Sequence, residues 1–138
     1  MFSHELTALV EEELRKRPQL SDYQRSVVSR TGPSFFDVDV RLFEEGREVS
    51  IYQFSATDIR GTLVSWNGNL LVIDHYRGKG IGRALVESRE AVCKKMDVEE
   101  IVVWCISNQV KCFWEHLGYR DRDGDREVYV KQLCKDRR

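Results

Sequence analysis

Leu70-Leu71-Val72-Ile73-Asp74-His75-Tyr76-Arg77-Gly78-Lys79-Gly80-Ile81-Gly82-Arg83-Ala84-Leu85 is the stretch on which the reading of the chain turns. Leu70 to Ile73 is too short an apolar run for a helix and suits a buried strand. The glycines at 78, 80 and 82 let the backbone turn tightly and approach a ligand closely. Beyond Gly82, the apolar residues Ala84, Leu85, Val92 and Met96 recur at roughly helical spacing, with Ser88 filling the gap in the stripe. A helix is therefore predicted to begin in or just after the glycines. Its first N–H groups, unpaired and at the positive end of the helix dipole, face the turn and make a site for phosphate. Arg77, Lys79 and Arg83 add charge of the matching sign.

Two glycine-rich anion motifs fail on spacing. A Walker A loop needs Gly-Lys followed by Ser or Thr, and here Gly82 is followed by Arg83 and Ala84, with no hydroxyl for magnesium. The dinucleotide pattern G-x-G-x-x-G does not fit glycines at 78, 80 and 82. The acyl-CoA signature Q/R-x-x-G-x-G/A is satisfied by Arg77, Gly80 and Gly82. At these residues the chain resembles the GNAT superfamily of N-acetyltransferases. Leu70, Val72 and Tyr76 keep their places in the preceding L-x-V-x-P-x-Y pattern, with Asp74 in place of the proline. Downstream, Ser107 to Tyr119 is similar to the family's N-x-x-A-x-x-hydrophobic-Y-x-x-x-G-aromatic run. Gly118 and Tyr119 match; Ser107 stands at the asparagine, Asn108 comes one place late, and Trp114 replaces the tyrosine. The resemblance covers about residues 60 to 132.

Working outward, Phe2, Leu6, Leu9, Val10 and Leu14 mark a first helix, capped by Ser3 and stopped by Pro18. Ser21 and Gln24 form a capping-box pattern that predicts a second helix ending near Thr31-Gly32-Pro33. From Phe35 the period becomes two: Phe36, Val38, Val40 and Leu42 alternate with polar residues, and Glu44-Glu45-Gly46 turns the chain into a strand from about Glu48 to Phe54. Thr62 to Trp66 is a further strand, after a break at Ala56-Thr57-Asp58. Asn67-Gly68 is then either a hairpin turn into the central strand or a bulge within one longer strand. Beyond the central helix, the apolar run Ile101 to Ile106 reads as a strand buried on both faces and parallel to its neighbour. A last helix from about Gln109 to Leu117 and a hairpin across Asp123-Gly124 complete the chain. Asp121, Asp123 and Asp125 lack EF-hand spacing and read as a polar turn.

The expected architecture is α/β (α+β), a mixed, mostly antiparallel sheet with helices on both faces, in a single domain over residues 1–138. It divides into a helical N-terminal segment (1–33), antiparallel strands (35–75), an acyl-CoA-binding core (76–132) and a tail (133–138). A chain of 138 residues buries roughly two-thirds of its unfolded surface and needs no covalent staple. The net charge of −1 gives no general pull toward nucleic acid or a membrane surface. Cys93, Cys105, Cys112 and Cys134 form no C-x-x-C pair, which points to reduced thiols, a cytoplasmic setting and no metal. No apolar run approaches the roughly 18 residues of a membrane span. Monomer and homodimer both remain open.

The resemblance implies that the sheet splays between its fourth and fifth strands and that acetyl-CoA enters the gap. Leu70, Leu71 and Val72 would bond to its pantetheine arm, and Gly78, Lys79, Gly80, Ile81, Gly82 and Arg83, with Arg77, would hold its diphosphate. Ser107, Asn108 and Trp114 would complete the cofactor wall. A backbone N–H near Val72 or Ile73 is the expected oxyanion donor. An indole N–H does not release its proton at physiological pH, so Trp114 cannot replace a tyrosine as acid. Tyr119 and Tyr129 are the candidate acids, and Asp74 and His75 lie at the correct end of the strand for a base. The implied activity is N-acetyl transfer from acetyl-CoA to a primary amine of an unidentified protein or small molecule. The alternative is a regulatory module that binds acyl-CoA and catalyses poorly.

Overall fold

The computed structural model describes residues 2–105, 107–122, 124 and 127–133, with the side chain of Asn67 outside that set. Its order is α1 (Ser3–Arg15), β1 (Gln24–Gly32), β2 (Phe35–Glu44), β3 (Arg47–Ile59), β4 (Thr62–Val72), α2 (Ile81–Lys95), β5 (Glu100–Trp104), α3 (Asn108–His116), β6 (Arg120–Asp121) and β7 (Val128–Gln132). Single 3₁₀ turns sit at Pro18–Leu20 and Asp74–Tyr76. Among the described residues the strands form one sheet in the order β1-β2-β3-β4-β5-β7-β6, antiparallel throughout except at β4 and β5. That is the mixed, mostly antiparallel sheet expected from the sequence.

The first difference lies at residues 24 to 32, where the predicted second helix is instead strand β1, paired with β2 from Gln24 opposite Phe43 to Gly32 opposite Phe35. The inward-facing positions carry only one large apolar side chain, Val27, so the two-residue period is not visible as hydrophobicity. Ser29 and Thr31 face inward as well, and their hydroxyls meet α1: Ser29 Oγ pairs with Thr7 Oγ1, and the Thr31 N–H donates to Ser3 Oγ at 3.1 Å. Ser3 is thereby drawn away from capping, and Phe2 is the N-cap, its N–H donating to Glu5 Oε1. Pro33-Ser34 turns the hairpin, and the Phe35 ring lies where a Gly32 side chain would be.

The second difference concerns Asn67-Gly68, which is a bulge and not a hairpin. β4 runs unbroken through it, and three steps from Trp66 to Asn69 face two from Ser55 to Gln53. The hairpin turn is earlier, at Arg60 and Gly61, both with positive φ as a type I′ turn requires, so Ala56-Thr57-Asp58 belongs to β3. Four strands still precede the glycine turn.

The core gathers Leu6, Val10 and Leu14 of α1, Val38, Val40, Tyr52 and Phe54 of the sheet, Leu85 and Val92 of α2, and Trp114 of α3. All three helices pack on this one face rather than on both. The opposite face leaves Val28, Trp66 and Trp104 about half exposed or more, at 60%, 42% and 59%. β5 is buried on both faces as expected, Ile101 and Val103 in the main core and Val102 in a small cluster with Val64 and Val128, and is exposed at its end, Trp104. Ile106, Asp123, Asp125 and the tail from 134 lie outside the described residues.

Candidate functional site

β4 and β5 pair at Val64 with Glu100 and at Ser65 with Ile101, and at no later residue, so the two strands part beyond Ser65. Ile73 N–H donates to Val49 O at 2.9 Å on the β3 side. Because bonding direction alternates along an antiparallel strand, Ile73 and Leu71 face β3, while Leu70 and Val72 present N–H and C=O to the open side. A cleft of about 550 Å³ lies along this edge, between it and the N-termini of α2 and α3.

The turn into α2 follows from its glycines. Gly78 and Gly80 have φ of 77° and 82°, a left-handed conformation that costs other residues energy, and Gly80 is the N-cap of α2. The first bond of the helix runs from Ala84 N–H to Gly80 O at 3.0 Å, so the N–H groups of Ile81, Gly82 and Arg83 precede the helical ladder. A side chain at Gly82 would meet Phe113 and Leu70 at 3.4 and 3.7 Å, so this glycine holds the cleft open between the two helices.

Of the residues assigned from the sequence to the cofactor, Leu70, Leu71, Val72, Arg77, Gly78, Gly80, Ile81, Gly82 and Arg83 line the cleft. Arg77 acts partly as a brace: its Nε donates to Val72 O at 3.0 Å and its Nη1 pairs with Asp74 at 2.8 Å. Lys79, Ser107, Asn108 and Trp114 are not in the lining. Lys79 holds its ammonium 5.5 Å from the centre of the Tyr76 ring, and Ser107 caps α3 by accepting the Val110 N–H. Asn108 is exposed at the start of α3, and Trp114 is buried edge-on between Phe113 and Tyr119.

The expected acid and base residues stand outside the cleft. Tyr119 is buried in the core and donates its hydroxyl to Glu90 at 2.8 Å; burial first, then the Glu90 carboxylate, pushes that hydroxyl far above the ordinary tyrosine range. Tyr129 likewise donates to Glu115. Asp74 and His75 are exposed on the 3₁₀ turn, Asp74 held by Arg77 and His75 edge-on to Tyr76. Four lining residues are not assigned to the cofactor from the sequence: Tyr76, which is noted for its place in the motif, and Gln109, Val110 and Phe113. Tyr76 donates to Glu44 at 2.7 Å, a bond that, with burial, raises its pKa. The last three lie on one face of α3, and the helical spacing of Val110 and Phe113 carried that signal.

A model of the acetyltransferase (GNAT) domain matches residues 40–121 of the chain. An uncharacterized N-acetyltransferase of Chlorobaculum tepidum, CT2212, is 32% identical over 68 residues, which are 49% of this chain and 41% of that protein. The chain thus spans less than half the length of this curated relative. Among solved structures, the fold is shared with an acetyltransferase of the GNAT family from Staphylococcus aureus Mu50, with a TM-score of 0.58, 17% identity, and coverage of 70% of this chain and 68% of that one. It is shared also with the PaiA N-acetyltransferase of Thermoplasma acidophilum, in complex with coenzyme A, with a TM-score of 0.55, 16% identity, and coverage of 72% and 61%. No described helix is long and apolar enough to cross a membrane.

Proposed function

Since the chain belongs to the GNAT acetyltransferase family, we propose that it moves the acetyl group of acetyl-CoA onto a primary amine by direct attack within a ternary complex. The observation that carries this reading is the parting of β4 from β5 after two residue pairs, with Leu70 and Val72 turned into the gap. An amide-bearing acyl-pantetheine arm supplies partners for the N–H and C=O of Leu70 and the N–H of Val72, whose C=O already accepts from Arg77. The amides of Gly80 to Arg83 suit the diphosphate, with the exposed Arg83 guanidinium beside them. Each charge-assisted bond contributes about 1.5–3 kcal/mol.

In the reaction the neutral amine nitrogen attacks the thioester carbon, the C–S bond breaks with its electron pair left on sulfur, and the amine proton passes to water. Ile73 N–H is held by Val49 and Val72 lies on the pantetheine path, so the oxyanion donor in this scheme is the Leu70 N–H, the open-edge amide nearer the point where β4 leaves β5. A free thiol has a pKa near about 8.5, so the thiolate is a tolerable leaving group without a dedicated acid.

One observation favours a second reading, a module that binds acyl-CoA and turns over poorly: no Asp, Glu, His or Cys lines the cleft among the described residues. Calorimetry with acetyl-CoA and a panel of amines assayed for CoA release tests both. Binding with sustained turnover supports the transferase; binding without turnover on any amine supports the module; absence of binding by the folded chain removes both.

A further inference from the structure

Arg89, on α2, is completely buried, at 0% exposure, yet no carboxylate pairs with it among the described residues. Its Nε and Nη2 donate to Ser65 Oγ at 3.2 and 2.9 Å, and its Nη1 donates to Tyr52 Oη at 2.8 Å. The guanidinium carbon lies 5.6 and 5.3 Å from the ring centres of Tyr52 and Phe54. The adjacent Glu90 is turned to Tyr119 and Lys131. Two further ionisable groups lie close by, and both keep their protons: burial pushes the Cys93 thiol up to about 11, and burial with the Glu90 carboxylate pushes the Tyr119 hydroxyl far above its ordinary range. An arginine does not lose its proton in a protein, so this is a permanent buried cation with neutral partners.

Its position links it to the site. Ser65 is the last β4 residue that pairs with β5, and a side chain built at Gly68 would lie 2.5 Å from Nη1. The cation therefore sits behind the bulge, at the vertex where the two strands part. On the reading proposed above, on which this inference rests, the acyl arm runs from the start of α2 along Val72 and Leu70 toward that vertex. Acyl transfer develops negative charge there, on the carbonyl oxygen and then on the departing sulfur; no carboxyl, imidazole or thiol lines the cleft among the described residues, and the one phenol in the lining, Tyr76, already donates its hydroxyl to Glu44.

We propose that Arg89 is the electrostatic counterpart of that charge: a positioning residue that acts through the bulge and stabilises the thiolate of CoA without touching it. Arg89 keeps its proton throughout. The C–S electron pair stays on sulfur, and the amine proton goes to water.

The test needs no acceptor. CoA is bound to the full chain and its thiol titrated by thiolate ultraviolet absorbance, with the S-methyl-CoA complex as blank for the protein's own cysteines. Wild type is expected to make the bound thiol about tenfold more acidic than free CoA, which corresponds to about one pH unit. Arg89→Met returns it to the free value, and Arg89→Lys retains part of the shift. Gly68→Ala, whose methyl meets Nη1, displaces the charge without removing it; it supplies the comparison where Arg89→Met does not fold, and it too raises the thiol pKa. An unshifted thiol in the wild-type complex, or equal thiol acidity in wild type and in folded variants that bind CoA, overturns the proposal and leaves the cofactor cleft standing. Failure of wild type to bind CoA overturns the cleft reading itself.

Discussion

Gly80 and Gly82 stand two residues apart and are needed for different reasons. Gly80 holds a φ of 82°, which costs an L-residue about 1–2 kcal/mol, and Gln19 Cγ lies 3.3 Å from where its side chain would begin. Gly82 has ordinary helical backbone, and alanine there gains helix propensity. Gly80→Ala is therefore expected to lower stability by about 1–2 kcal/mol in urea unfolding. Gly82→Ala leaves stability equal or higher but weakens acetyl-CoA binding about tenfold in calorimetry, which corresponds to about 1.4 kcal/mol, because its methyl enters the cleft beside Phe113. Equal losses of stability in the two variants would remove the distinction. Tyr119 makes the complementary case. With its hydroxyl committed to Glu90 in the core, Tyr119→Phe is expected to cost about 1 kcal/mol of stability and to leave the rate of CoA release unchanged. A loss of turnover in a stable Tyr119→Phe protein would return this phenol to the chemistry.

Helices α1 and α2 are joined through one buried acid. Glu13 is 2% exposed and meets Lys95 at 2.8 Å, Lys16 at 3.0 Å and Arg17 at 3.7 Å. Burial alone would raise its carboxyl, but the hydrogen bonds from Lys95 and Lys16 outweigh that and hold it below the usual carboxylate range. A folded-state pKa below the unfolded one gives stability that is present above the unfolded value of roughly 4.3 and is lost as pH falls through the folded value. Glu13→Gln is thus expected to cost on the order of 2 kcal/mol at neutral pH and to flatten the acid limb of stability against pH. An unchanged acid limb in Glu13→Gln would place the linkage elsewhere.

The same scale explains what the sequence could disclose. The path from strand through glycines to helix was legible because apolar period and turn chemistry agreed over Leu70 to Val92. β1 was not, because its inward residues Ser29 and Thr31 are satisfied by Ser3 and Thr7, which lie more than twenty positions away. The bulge at Gly68 depends on the distant Arg89 in the same way. Nine of the expected cofactor residues line the cleft because the signature is local, whereas the acid and base were sought by residue type, and burial or ion pairing took those residues elsewhere.

At the scale of the molecule, β1 to β4 form one continuous antiparallel unit, and β5, β7 and β6 form a second, joined to it along the sheet by two residue pairs. The helices and their shared core hold the two units together on one face, and on the other the small cluster of Val64, Val102 and Val128 does so. A ligand that inserts as an extra strand would bridge them, and binding to the folded state at about a hundredfold excess over Kd contributes about 2.7 kcal/mol. For a chain of this size that raises the thermal midpoint by on the order of 10 °C. Hydrogen exchange gives the sharper expectation. Leu71 and Ile73 N–H face β3 and are protected already, so acetyl-CoA should add protection at Leu70 and Val72 and leave Leu71 and Ile73 nearly unchanged. Uniform protection along residues 70 to 73 would mean that binding stabilises the strand as a whole without pairing to its open edge. A pattern that alternates residue by residue has no other source than a partner hydrogen-bonded along the gap.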